Sequence, residues 1–222
     1  MKTHLRSWTA VAGGVALVTL ITLRVASGPA AAQGSEPAAP KAAAPTGTLA
    51  LTNDVAHSEV GFNIQHIVSR VHGKFDKFKA DISFDPKNLA ATQVQAEIDA
   101  NSIDTGVEKR DNHLRSADFF DVTKFPTLTF KSTKVEPVDA THAKMTGDLT
   151  IKGITNHVVA KGTLTGPATG LAGNTVIGLA LETVIDRTQY GLTWNADLPS
   201  GGPVLANDVK IVVEAELAKV EA

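Results

Sequence analysis

From about residue 60 onward, apolar and polar positions alternate along the chain. Val60, Phe62 and Ile64 are interleaved with Glu59, Gly61 and Asn63, and Phe78, Ala80, Ile82 and Phe84 with Lys79, Asp81 and Ser83. The same period runs through Val94, Ala96, Ile98 and Ala100, through Leu128 and Phe130, and through Met145, Gly147, Leu149 and Ile151. It closes the chain with Val209, Ile211, Val213, Ala215 and Leu217. Successive side chains of a strand point to opposite faces, so a period of two gives each segment one buried and one wet face. That pattern belongs to antiparallel sheet with one solvated side.

Residues 157–164 and 176–185 are apolar at more of their positions. The second predicts a strand covered on both faces, by a helix or by a partner subunit, and would suit a homodimer face. A first strand at residues 48–52 brings the total to about nine. Turn signals separate the strands at residues 85–88 (Asp-Pro-Lys-Asn), at Lys152-Gly153, at Gly166-Pro167 and at residues 172–174 (Ala-Gly-Asn). So many short antiparallel strands predict an all-β barrel or sandwich, and a barrel leaves no open edge.

Residues 105–120 break the alternation. Val107, Leu114 and Ala117 stand among charges, which predicts a short helix. Asp104 or Thr105 would cap it, with Glu108 completing a capping box three residues after Thr105.

Several segments are distinctive as strings. They are HSEVGFNIQH at residues 57–66, VHGKFDKFKADISFD at 71–85 and NSIDTGVEKRDNHLRSADFFDVTKFPTLTFKST at 101–133. GDLTIKGITNHV at 147–158 and DRTQYGLTW at 186–194 follow. In these pieces the chain resembles the YceI-like family of periplasmic polyisoprenoid-binding proteins, over nearly the whole of residues 49–217. The resemblance implies an extended, lipocalin-like antiparallel barrel of about eight strands with one or two short helices. It also implies a long apolar tunnel for an isoprenoid or similar amphiphilic chain, with no metal, no cofactor and no catalytic residues, often in a dimer. Two departures from the family pattern stand out. Leu51 replaces a usual aromatic, and the segment 198–209 is atypical around its second glycine; either would alter a tunnel mouth.

The N-terminus adds a compartment. Lys2 and Arg6 precede an apolar run at residues 8–23, and Ala30-Ala31-Ala32 offers a cleavage site. This order predicts a secretory signal peptide over residues 1–32, the alternative being a retained anchor. The run falls short of the roughly 20 residues that a spanning helix needs. Cleavage would take the formal charge from -2 to about -5, leave no stable membrane span and place the mature protein in the periplasm or outside the cell. Residues 33–46, rich in Ala and Pro, read as a linker, and residues 47–222 as the lipid-binding domain. The charge gives no sign of a nucleic-acid partner. The absence of cysteine excludes disulfides and thiolate chemistry.

The expected ligand-binding residues of the barrel interior are Phe62, Ile64, Phe75, Phe78, Ile82, Phe84, Ile98, Leu114, Phe119, Phe120 and Phe130, with His66, Arg110 and His113 near a mouth. Periodicity alone does not separate a packed interior from a hollow one, and a barrel of about eight strands is compatible with both. Three readings therefore stand: a lipid carrier, an enzyme acting on a lipid chain through Asp111 and His113, and a docking module for a membrane partner. Arg110 and Arg115 form a candidate phosphate-binding pair. His57, His66, His72 and His113 match no standard zinc spacing.

Overall fold

A computed structural model describes residues 48–171 and 173–220. The expected signal peptide and cleavage site (residues 1–32) and the expected linker (residues 33–46) lie outside the described residues. Ten strands and one α-helix follow in order. The strands are β1 (Leu49–His66), β2 (Ser69–Phe75), β3 (Phe78–Phe84), β4 (Gln93–Asp99) and β5 (Ile103–Asp104). The helix α1 (Glu108–Arg115) precedes β6 (Thr127–Pro137), β7 (His142–Ile151), β8 (Ile154–Thr169), β9 (Thr175–Asp186) and β10 (Leu205–Lys219).

All pairings are antiparallel, and β10 closes back onto β1, so the sheet becomes an eight-stranded barrel. β1 joins the two halves. Its first residues pair with β3 through Leu51↔Ile82, and its last with β2 through Phe62↔Gly73 and His66↔Ser69. β2 and β3 thus run along the same side of β1 as one interrupted strand. The short β5 extends the sheet beyond β2.

The two strands expected at residues 48–52 and from residue 60 are a single strand with an irregularity between Asn53 and Ser58. There Asp54 accepts a hydrogen bond from Ala56 N–H at 2.9 Å, a local turn that lets the strand bend without ending. The expected turn at Gly166-Pro167 is likewise a shift of register inside β8, between Thr165 and Ala168. Proline lacks the donor that a regular ladder needs, and an irregularity accommodates it. Lys152-Gly153 is the expected hairpin turn, with φ of 51° and 75° at its two residues.

β9 departs from its expected double coverage. Ile177 and Ile185 are buried on the inner face, but Val184 on the outer face is 58% exposed. Gly178 and Ala180 lie among its outward positions, so the apolar run there carries little side chain to cover.

The core has two parts. At one end of the barrel Leu51, Ile82, Phe84, Val94, Val135, Met145, Ile177 and Leu217 are buried together. Towards the other end Val60, Phe75, Ile98, Ile103, Phe119, Tyr190 and Leu192 are the buried framework beneath α1 and the segment 187–205. Leu51, expected at a mouth, is 1% exposed in the first of these clusters. β10 shows the difference between the two ends. Its inward residues Val209, Ile211, Val213 and Ala215 are all half-buried, and only Leu217 is fully enclosed, at 2%. Inward side chains that remain accessible mark a barrel that is hollow over most of its length.

Candidate ligand-binding cavity

The hollow is a cavity of about 1080 Å³. It lies just above the roughly 300–1,000 Å³ usual for small-molecule sites. The Phe84 cluster fills the barrel beyond it, leaving a gap of only about 30 Å³. The cavity therefore ends blindly on that side. Its mouth lies at the opposite end, where the β1–β2 hairpin, α1 and the segment 187–205 meet. Exposed residues on the wall there are Ser69, Arg70, His72, Val107 and Lys109.

Of the residues expected from sequence, Phe62, Ile64, His66, Phe75, Phe78, Ile82, Ile98, Arg110, His113, Leu114, Phe119, Phe120 and Phe130 all line the cavity. Phe84 does not. It is 6% exposed and packs into the blind end, so its inward direction makes it part of the plug. Alternation gives the face of a strand but not the height along the barrel axis, and Phe84 shares a face with Ile82.

Two glycines make room for aromatic wall. Phe62 lies over Gly73 across the β1–β2 pair, and Phe130 lies over Gly147 across β6 and β7. A Cβ at either glycine would collide with the ring. Phe62, Phe75 and Phe120 then continue as a chain of rings, with centroids 5.9 and 5.8 Å apart.

The charged run before residue 120 is fixed mainly through backbone groups. Thr105 does not cap α1, whose N-cap is Val107 without a side-chain bond. Instead the Thr105 N–H and hydroxyl both donate to Asp111 Oδ1, the former at 2.9 Å. Arg110 Nε donates to Thr105 Oγ1 at 2.7 Å, and its Nη2 to Thr105 O at 2.8 Å. Asp111 is 6% exposed, so this clasp satisfies a carboxylate that would be costly to bury unpartnered. Arg115 donates to Asn101 O and Ile103 O, at 2.9 and 2.7 Å, and does not line the cavity. It holds α1 against β5 rather than joining Arg110 in a pair.

His113 is likewise not brought to Asp111. Its Nε2 is 3.0 Å from Asp118 Oδ2. Its ring stands edge-on to Phe119 and Trp194, with centroids 5.1 and 4.8 Å away. The geometry makes it part of an aromatic wall. His66 and His72 line the mouth, while His57 stands apart on the barrel exterior. There His57 Nδ1 lies 2.9 Å from Asp54 Oδ2. The Asp54 carboxylate raises the His57 pKa, with a further contribution from Glu216, and the histidine in turn lowers that of Asp54. These three residues are the one histidine–carboxylate group with metal-ligand spacing among the described residues.

Trp194 and Arg187 are among the cavity residues that were not expected from the sequence. Trp194 lines the cavity, packed against Phe119 at 5.3 Å. Arg187 lines it while only 3% exposed. Its Nε donates to Ala206 O at 2.9 Å, and its Nη1 to Trp194 O at 2.9 Å and to Leu192 O. Burial pushes its pKa below the ordinary arginine value, and the neighbouring Asp186 acts the other way. The only signal in the sequence was a lone arginine in DRTQYGLTW, between two apolar strands.

A closed antiparallel barrel with a deep apolar cavity defines the described residues as a small cavity-bearing β-barrel. The chain belongs to the YceI-like domain family, which matches residues 51–217. A UPF0312 protein of Staphylococcus aureus strain N315, SA2479, is 38% identical over 169 residues, covering 75% of this chain and 96% of its own. Among solved structures, Burkholderia cenocepacia BcnA superposes with a TM-score of 0.65 at 25% identity, over 75% of this chain and 99% of its own. The Campylobacter jejuni YceI protein follows at 0.63 and 32% identity, over 69% and 88%. A polyisoprenoid-binding domain from Saccharophagus degradans shares the fold at 0.57 and 18% identity, over 78% and 99%.

Proposed function

We propose that this protein is an exported carrier that sequesters a long-chain amphiphilic lipid, of the polyisoprenoid class, inside its barrel. The observation that carries this reading is the blind apolar cavity of about 1080 Å³. Aliphatic and aromatic side chains form nearly all of its wall, and polar groups gather at the mouth and at Arg187. A prenyl chain gains about 0.8 kcal/mol for each methylene withdrawn from water, so such a wall retains a tail without specific polar contacts. The head remains by the mouth, among His66, Arg70, His72, Lys109 and Arg110. Kinship with the YceI-like family supports the reading, as does the polyisoprenoid-binding domain of the same fold. The signal-peptide pattern at residues 1–32 supports export.

The test is native mass spectrometry of the protein purified from its own cell envelope, followed by organic extraction. A stoichiometric prenyl species, on a chain shortened to begin near residue 33, is the expected result. A full-length protein in the cytoplasmic fraction would remove the exported part of the reading. A bare protein that takes up no added prenyl lipid would remove the carrier part.

A further inference from the structure

Four residues of permanent positive charge line the cavity: Arg70, Lys109, Arg110 and Arg187. One carboxylate residue lines it, Glu182, and this is paired with Lys210 at 2.7 Å. The arginines are positioned without a direct carboxylate partner. Arg70 Nη1 donates to the Asn63 amide oxygen at 3.2 Å, Arg110 to Thr105, and Arg187 to three backbone carbonyls. None of them forms a salt bridge with a carboxylate of the described residues. Asp186, the acidic neighbour of Arg187, accepts instead from the N–H and hydroxyl of Thr188, at 2.8 and 2.6 Å.

Arg187 is the informative case. A buried guanidinium is ordinarily matched by a carboxylate, because carbonyl dipoles supply hydrogen bonds but no opposite charge. Here its Nε and Nη1 are anchored, and the residue borders a low-dielectric cavity in which an opposite charge would be weakly screened. Arg110, half-buried nearer the mouth, is also held in place, with Nε and Nη2 on Thr105, whose hydroxyl links it to the Asp111 carboxylate. Both guanidinium groups are rigid before any ligand arrives, which reduces the ordering cost of binding an oxyanion.

We infer that the cavity selects lipids with an anionic head, a phosphate or carboxylate, over neutral prenyl alcohols and quinones. This rests on the carrier reading of the same cavity and narrows it. The tail supplies affinity through burial, and the head supplies the counter-charge that the wall lacks. Free phosphate offers the charge without the tail, and so should bind weakly.

The experiment compares geranylgeranyl phosphate, geranylgeraniol, a prenyl quinone and inorganic phosphate against the delipidated full chain, by displacement of a fluorescent fatty probe. The phosphate ester is expected to bind at least about tenfold more tightly than the alcohol. The preference should shrink towards unity in Arg110→Gln and weaken in Arg70→Gln. Arg187→Gln is a less secure probe, because it also releases three carbonyls. Inorganic phosphate at millimolar concentration should not displace the probe. Equal affinity for ester, alcohol and quinone would overturn the inference and leave the carrier standing. Inorganic phosphate competing as well as the ester would overturn it in favour of a simple anion site. Failure of every prenyl compound to bind would remove the carrier reading beneath it.

Discussion

The ring of Phe62 lies directly across Gly73, its partner in the β1–β2 ladder, with Thr105 bordering the same space that a Gly73 side chain would enter. A Cβ on Gly73 would stand 2.8 Å from both Phe62 Cε1 and Thr105 Cγ2. The absent side chain is what allows an aromatic ring to lie flat along the wall near the mouth.

Gly73→Ala is therefore expected to push the Phe62 ring into the cavity. The substitution should cost about 1–3 kcal/mol as an overpacked contact, measured by urea unfolding. It should also lower affinity for long-chain lipid. Unchanged stability and binding would show that Phe62 moves freely and that the wall is softer than described.

Ala96 offers the opposite experiment. It lies between Val94 and Ile98 on the inner face of β4, is half-buried and borders the cavity. Ala96→Phe should place a ring in accessible space without displacing packed atoms. The expected outcome is a Tm close to that of the parent with lipid uptake sharply reduced. Undiminished uptake would mean that a chain does not reach the level of β4.

Thr105 and Asp111 form a unit that sequence spacing alone does not suggest. Asp111→Asn keeps the shape of the side chain but replaces a charged acceptor by a neutral one, and Thr105→Val removes the hydroxyl donor. Each should destabilise by about 1–3 kcal/mol, and the double variant by less than the sum of the two. A strictly additive double-mutant cycle would show that the two side chains are not coupled.

The exterior pair His57–Asp54 sets a pH expectation. The His57 pKa is raised above 6.5, first by its hydrogen bond to Asp54, so its contribution is full below 6.5 and disappears as pH rises through the folded value. The Asp54 pKa is lowered below 3.8, first by His57, so its contribution is full above 3.8 and disappears as pH falls through its own folded value. The pair is thus intact between those two limits. An NMR titration should place His57 above 6.5, and Asp54→Asn should bring it back down. A His57 value at or below 6.5 in the parent would contradict the pairing.

Much of the barrel was legible because a period of two reports which face of a strand is apolar. Phe62, Phe78, Ile98 and Phe130 were assigned to the interior on that ground, and all four border the cavity. Height along the axis was not legible, which is why Phe84 and Leu51 were misplaced: each belongs to the plug. Register was not legible either, so the fusion of two expected strands into β1 and the continuity of β8 through Pro167 had no signal in composition. The capping box at Thr105 failed because the local pattern fits two geometries. The structure uses the one in which Thr105 serves Asp111, while α1 begins at Glu108. Arg187 was missed for a different reason. Its role depends on carbonyls of Leu192, Trp194 and Ala206, and backbone acceptors leave no mark in a side-chain pattern.

The plug formed by Leu51, Phe84 and Leu217 has a consequence for traffic. A sleeve sealed at its tip is filled and emptied through one rim, so whatever goes in first comes out last. In the carrier role proposed above, a lipid loaded tail-first would depart head-first, and none would pass straight through from a donor on one side to an acceptor on the other. Donor and acceptor would approach the same rim in turn. Handover would then be a sequence of two separate visits, with the loaded protein travelling between them.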